Sequence, residues 1–179
     1  MNWMNQISGL LQQYSGADAQ PATNQNVDQD FDQFAQAAPP SAMADGLAAA
    51  FRSNQTPPFG QMLGGLFGQS SGTQRAGILN TLIATLGPTL VAQVLSRSGG
   101  GSGLAGLLGG GQTEVTPEAA AEVSPAAVQE LAEHAEQKDP SIIDTASNFY
   151  AEHPQLIKGL GAAALTIALA KVAAAQRNG

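Results

Sequence analysis

The chain has 179 residues, of which 43% are apolar but only 5% aromatic, with 21 glycines, no cysteine and a formal net charge of −7. That length holds one ordinary domain or two small ones, and a core built from Ala, Leu and Gly suits helices better than a β-sandwich. The missing cysteine excludes a disulfide framework and a thiolate ligand or nucleophile, while so few Lys and Arg leave no basic stripe to neutralise phosphates.

In chain order, "MNWMNQISGLLQQYSG" places Trp3, Ile7, Leu10, Leu11 and Tyr14 at helical spacing and ends at Gly16. It has no positively charged start and its apolar residues are interrupted, so it does not read as a secretory signal; the expected location is cytoplasmic, with inner-membrane association as the alternative. Residues 17–26 are a polar linker. A second helix is predicted over Val27–Ala38, with Val27, Phe31, Phe34 and Ala38 on one side, stopped by Pro39 and Pro40.

Ser41 reads as the N-cap of a helix through Phe51, and Thr56 as the cap of another whose first position is Pro57. "TQRAGILNTLIATLGP" predicts a helix carrying Ile78, Leu79, Leu82, Ile83 and Leu86, closed by Gly87 and Pro88. A partner helix through Leu90, Val91, Val94 and Leu95 follows after a sharp kink. "SGGGSGLAGLLGGGQ", Ser98 to Gln112, reads as a mobile linker, because so many glycines oppose a regular helix. Beyond it, "TPE" at Thr116, "SPA" at Ser124 and "DPS" at Asp139 each set a capping residue before Pro and predict three helix starts.

The final segment, "LIKGLGAAALTIALAKVAAAQ", is predicted as one helix from Pro154 that is apolar all round. Leu156, Leu160, Ala164 and Ile167 lie on one side and Ile157, Leu165, Leu169 and Val172 on the other, so the helix must be buried. Its uncharged stretch, Gly159 to Ala170, spans about 18 Å against a hydrocarbon core of about 30 Å. That favours a central helix of a C-terminal unit, close-packed at Gly161 and Ala164, over a membrane anchor. No alternating run reads as a strand. The prediction is therefore an all-α, multi-helical chain of two small units: an N-terminal region 1–97, a Gly-rich linker 98–113, and a C-terminal unit 114–179.

"VTPEAAAEVSPAAVQELAEHAEQKDPSIID", with the preceding "GLAGLLGGG", resembles the YidB-like family of small bacterial proteins, which pairs Leu-Gly-rich tracts with an "SPxxVQxLAxxA" helix pair. The resemblance covers a quarter to a third of the chain. It implies an all-helical domain and a bacterial origin, and it implies no activity and no site.

The remaining motifs read as structure. "GSGLAG", Gly101 to Gly106, has the spacing of a dinucleotide loop but lacks the preceding strand, and no Lys follows it. Asp28, Asp30 and Asp32 are spaced like calcium ligands, yet Gln33 stands where such a loop needs Gly and Pro39 where it needs Glu, so they read as first-turn acids favoured by the helix dipole. His134, among Glu130, Glu133 and Glu136, reads as part of a solvated helix face, and His153, before Pro154, as a helix junction. No catalytic, cofactor-binding or metal residue is assigned, and no cofactor or small-molecule substrate is expected. The expected function is non-enzymatic: a bacterial helical protein that binds a protein partner or itself through apolar helix faces. The alternative is membrane association through the Ala/Gly-rich terminal helix.

Overall fold

A computed structural model describes residues 3–14, 27–98 and 102–177. Among these residues every regular element is helical, so the chain is all-α. The helices are α1 (Trp3–Tyr14), α2 (Val27–Ala37), α3 (Pro40–Arg52), α4 (Phe59–Gln69), α5 (Gly72–Leu86), α6 (Pro88–Arg97) and α7 (Ser102–Gly109). They continue with α8 (Pro117–Ala121), α9 (Pro125–Lys138), α10 (Ile142–Ala151), α11 (Pro154–Ile157) and, after a 3-10 turn at Lys158–Leu160, α12 (Ala162–Arg177). The polar linker predicted at 17–26 and the stop at Gly16 lie outside the described residues.

The division into compact units differs from the one drawn at the glycine run. Unit 1 joins Met1–Pro57 to Ala146–Gly179, and unit 2 is Pro58–Thr145. The glycine-rich stretch thus lies inside unit 2, and the two ends of the chain share unit 1. Composition marks where backbone entropy is high, but a unit boundary is set by which apolar faces meet, and that is not local information.

Unit 1 is built around α12, which packs against α1, α2 and α3. Ala164, Leu165, Ala168, Leu169, Val172 and Ala173 are buried, as are Val27, Phe31, Phe34, Leu47, Ala50 and Phe51 opposite. At the α3–α12 contact a Cβ added to Gly46 would lie 2.8 Å from the Ala168 carbonyl oxygen, so only glycine admits this approach. Trp3 meets Phe34 edge-on at 6.3 Å between ring centres. The predicted terminal helix is buried, but its partners are the N-terminal helices, and it is broken. The chain bends by 119° between Pro154–Leu160 and α12, at Gly161 with φ 96° and ψ 168°. That backbone conformation is costly for any residue with a Cβ. Nothing stands within 4 Å of a Cβ built there, so Gly161 is required by conformation and not by close packing.

Unit 2 pairs α4 with α9 along a glycine stripe. A Cβ on Gly60 would fall 2.8 Å from the Gln129 carbonyl oxygen, one on Gly64 would fall 2.9 Å from that of Pro125, and one on Gly68 would fall 3.3 Å from the Pro125 ring. Glycines four apart stack on one helix face, which lets the two backbones approach. On the other side α5 packs on α8 and α9, and α6 turns away from α5 by 117° at Gly87 to cover α7 and α9.

Several helix ends form as their sequences predict. Thr116 and Ser124 accept from the N–H groups of Ala119 and Ala127 at 3.3 and 3.2 Å, with Pro at the first helical position. Ser71 and Gln74 form a reciprocal capping box on α5 that the sequence reading did not assign. Two assigned caps are elsewhere. The caps of α3 and α4 are Pro39 and Pro58, whose carbonyls accept the first helical bonds, and Ser41 sits inside the first turn. Thr56 is buried and turned backward, its hydroxyl donating to the Ala50 and Ser53 carbonyls, so it closes the end of α3 instead of opening α4.

The third Pro-preceded start is shifted too: α10 begins at Ile142, two residues past Pro140. Asp139 terminates α9 through its N–H to Ala135, while its Oδ1 accepts from Ser141 Oγ at 2.7 Å and Ser141 N at 3.0 Å. These two hydrogen bonds hold the Asp139 carboxyl below its ordinary pKa. A group whose pKa is lowered by folding contributes stability above its unfolded value and loses it as pH falls through the folded one. Asp139 is therefore expected to titrate at lower pH than the same residue in the unfolded chain, and Ser141→Ala should move it back toward the ordinary value in a carbon-detected NMR titration.

Candidate functional site

The one large apolar side chain exposed among the described residues is Leu107, 48% accessible, on α7. This helix occupies the stretch predicted to be a mobile linker, and the reason is tertiary. Leu104, Ala105 and Leu108 are buried in unit 2, where α7 lies on α6 and α8. Two buried leucines gain roughly 1.5–3 kcal/mol each, against about 1 kcal/mol lost per helical glycine. The helix ends in a closed motif: Gln112 N–H donates to the Leu107 carbonyl at 3.2 Å and Gly111 N–H to that of Leu108 at 3.1 Å. Gly111 supplies the positive φ of 98° that this double bond needs.

Leu107 is thereby pointed outward among glycines, with the Glu122 carboxylate against Gly103, its Oε2 3.4 Å from a Cβ built there. Its neighbour one turn back is Gly103, and the positions around it include Gly106, Gly109 and Gly110. No side chain comes within 4 Å of a Cβ built on Gly106 or Gly109. Ser102 to Gly106 of the "GSGLAG" motif fall on this same helix, so Gly103 and Gly106 are helical and not part of a strand-to-helix turn; Gly101 lies outside the described residues. Leu107 is thus a single exposed branched apolar side chain, with no contiguous apolar patch around it.

The polar residues singled out from the sequence form no cluster of three or more potential metal ligands among the described residues, and His134 meets Glu130. His134 lies on an outward face of α9, its Nε2 3.9 Å from Glu130 Oε1. Glu130 also takes Ser98 Oγ at 3.1 Å and stands 3.6 Å from Arg97 Nη2, tying the end of α6 to α9. Asp28 and Asp30 occupy the first turn of α2, and Asp32 pairs with Lys158, whose Nζ donates to both carboxylate oxygens at 2.8 and 3.0 Å. On a helix these three side chains diverge by about 200° per two residues and cannot wrap one ion. His153 is the N-cap residue of α11, at φ −127° and ψ 63° before Pro154, its ring 5.5 Å from Phe149. Among the described residues no three His, Cys, Asp or Glu side chains gather as a metal site, and no buried side-chain nitrogen or oxygen lacks a hydrogen-bond partner.

Among the described residues no single helix is long and apolar enough to cross a membrane; two bent pairs, α5 with α6 and Pro154–Leu160 with α12, reach the required length and composition together. Sequence reasoning missed both the glycine stripe on α4 and the knob on α7. The stripe was readable from the spacing of Gly60, Gly64 and Gly68. The knob was not, because "GLAGLLGG" does not show which of its leucines unit 2 covers. No protein-family model, curated protein or solved structure matches the chain.

Proposed function

We propose that this is a non-enzymatic helical interaction protein whose binding epitope is the outer face of α7, with Leu107 as its anchor. The observation that carries the reading is the exposure of Leu107, the one large apolar side chain open to solvent among the described residues, where Leu90, Phe149, Leu156, Leu160 and Ile167 are half-buried. A buried apolar anchor is the usual centre of a protein interface, and Gly106 and Gly109 leave open space beside it for a partner, while Glu122 lies against Gly103. The partner is another protein or a second copy of this chain. The acidic balance, −7 over the whole sequence, goes with a partner face that is apolar at its centre and neutral or basic at its rim.

Sedimentation velocity of the purified protein across a range of concentrations tests the self-association form. If copies pair through α7, wild type shifts to larger species with concentration and Leu107→Glu stays monomeric with an unchanged melting temperature. If the partner is a different protein, both are monomeric alone and only wild type enters a larger species when host extract is added. Identical behaviour of the two proteins in both settings contradicts the reading.

A further inference from the structure

The rotation of α7 about its own axis decides which of its leucines unit 2 covers. At about 100° per residue Leu104 lies between Leu107 and Leu108, so one face about 100° wide carries all three leucines, with Ala105 beyond its edge. The structure buries a different face. Leu104, Ala105 and Leu108 are covered while Leu107 is 48% accessible, a rotation of about 50° from the all-leucine face that sets an alanine where a leucine could be. Apolar burial alone favours the other rotation, since leucine removes more surface from water than alanine does. A restraint from outside the helix is needed to oppose it.

Polar ties reach α7 at both ends, and they differ in kind. The Glu122 carboxylate lies against Gly103 in the first turn, where it favours the helix dipole; that dipole runs along the axis, so the attraction is indifferent to rotation about it. The tie at the other end is directional. Once the Leu108 and Leu107 carbonyls have taken the N–H groups of Gly111 and Gln112, the chain runs outside any helix from Gln112 to Thr116. There Val115 is buried to 4% and its N–H donates to Asn80 Oδ1, on α5, at 2.8 Å. The closed last turn of α7 is thereby joined, by a few residues, to a point held on α5.

We infer that Asn80 is a positioning residue that keeps Leu107 outward: by anchoring Val115 it fixes where the chain leaves α7, and with it the rotation of the helix. Freed of that anchor, α7 rolls toward its all-leucine face, burying Leu107 and turning Ala105 out. The purpose of the restraint rests on α7 being a binding face; the restraint itself does not.

The chain has no cysteine, so Ala105→Cys supplies a single thiol that reads the rotation by maleimide labelling while Leu107 stays in place. With Asn80 present labelling should be slow. Asn80→Ala should speed it by about tenfold or more while the amides of Leu79–Leu86 keep their exchange protection, and Asn80→Asp, whose carboxylate accepts the same N–H, should restore slow labelling. Asn80→Ala combined with Leu107→Ala should also stay slow, because the leucine that drives the roll is gone. Simple loosening of the segment would speed labelling whether or not Leu107 is there. Slow labelling in Asn80→Ala overturns the restraint, and so does fast labelling in Asn80→Asp or in the combined variant, or a loss of protection in α5 alongside. No partner takes part, so this outcome is separate from that of the binding reading, which stands or falls on the association of wild type and Leu107→Glu.

Discussion

Deleting the chain from Pro154 onward is expected to unfold unit 1. The deletion removes Ile157, Leu165, Leu169 and Val172, each buried to 6% exposure or less, together with Ala164, Ala168 and Ala173. At roughly 1.5–3 kcal/mol per large apolar side chain, the four amount to about 10 kcal/mol, comparable with the whole stability of a small domain. The faces of α1, α2 and α3 that meet α12 would also be laid open to water. Trp3 is the only tryptophan in the chain and belongs to unit 1, against Phe34, so its emission reports that unit alone. The truncated protein should show red-shifted emission without a cooperative fluorescence transition, and should aggregate. An unchanged emission spectrum and melting curve would mean that α12 is an appendage, as an anchor would be, and would contradict its place in the core.

The second large effect lies on the glycine stripe of α4. Gly64→Leu is expected to destabilise unit 2 by about 3 kcal/mol, because the new Cβ would stand 2.9 Å from the Pro125 carbonyl oxygen and the helices must separate to admit it. Gly60→Ala should also destabilise, with its Cβ 2.8 Å from the Gln129 carbonyl oxygen. Both reverse the sign expected from propensity alone. Gly65, one position away on the same helix, is exposed with nothing within 4 Å of a Cβ, so Gly65→Ala should stabilise by about 0.5–1 kcal/mol. Thermal unfolding followed by circular dichroism distinguishes the two faces. Equal shifts at Gly64 and Gly65 would mean that α4 and α9 are not in close contact.

These two regions mark where local sequence sufficed and where it did not. Thr116 and Ser124, each followed by Pro, cap their helices because capping is a short-range bond between a side chain and an N–H three residues on. The same idiom misled at Thr56, whose hydroxyl has carbonyl acceptors behind it as well as N–H groups ahead, and the chain reversal after α3 decides between them. The apolar periodicities of α2 and α5 were legible because one face of each is buried. The terminal segment was harder: a helical wheel assumes a straight axis, and the residues on both sides of Gly161 are good helix formers, so the break leaves no local trace beyond a glycine among other glycines. At α7 the reverse happened, where glycine-rich composition argued for a linker and the burial of Leu104 and Leu108 outweighed it. Histidine and carboxylate positions were placed on outward helix faces by their charged neighbours. The exposed Leu107 had no such signal, since exposure is a property of the assembled unit.

The proposal that α7 is a binding face is tested most directly by photo-crosslinking in the living host. A photoreactive phenylalanine derivative is placed at position 107 and, for reference, at position 84, where Ala84 is exposed on α5 of the same unit. A discrete adduct from position 107 that is absent from position 84, whether with a second copy of the chain or with another protein, is the predicted result. No adduct at 107, or the same adducts from both positions, would contradict it.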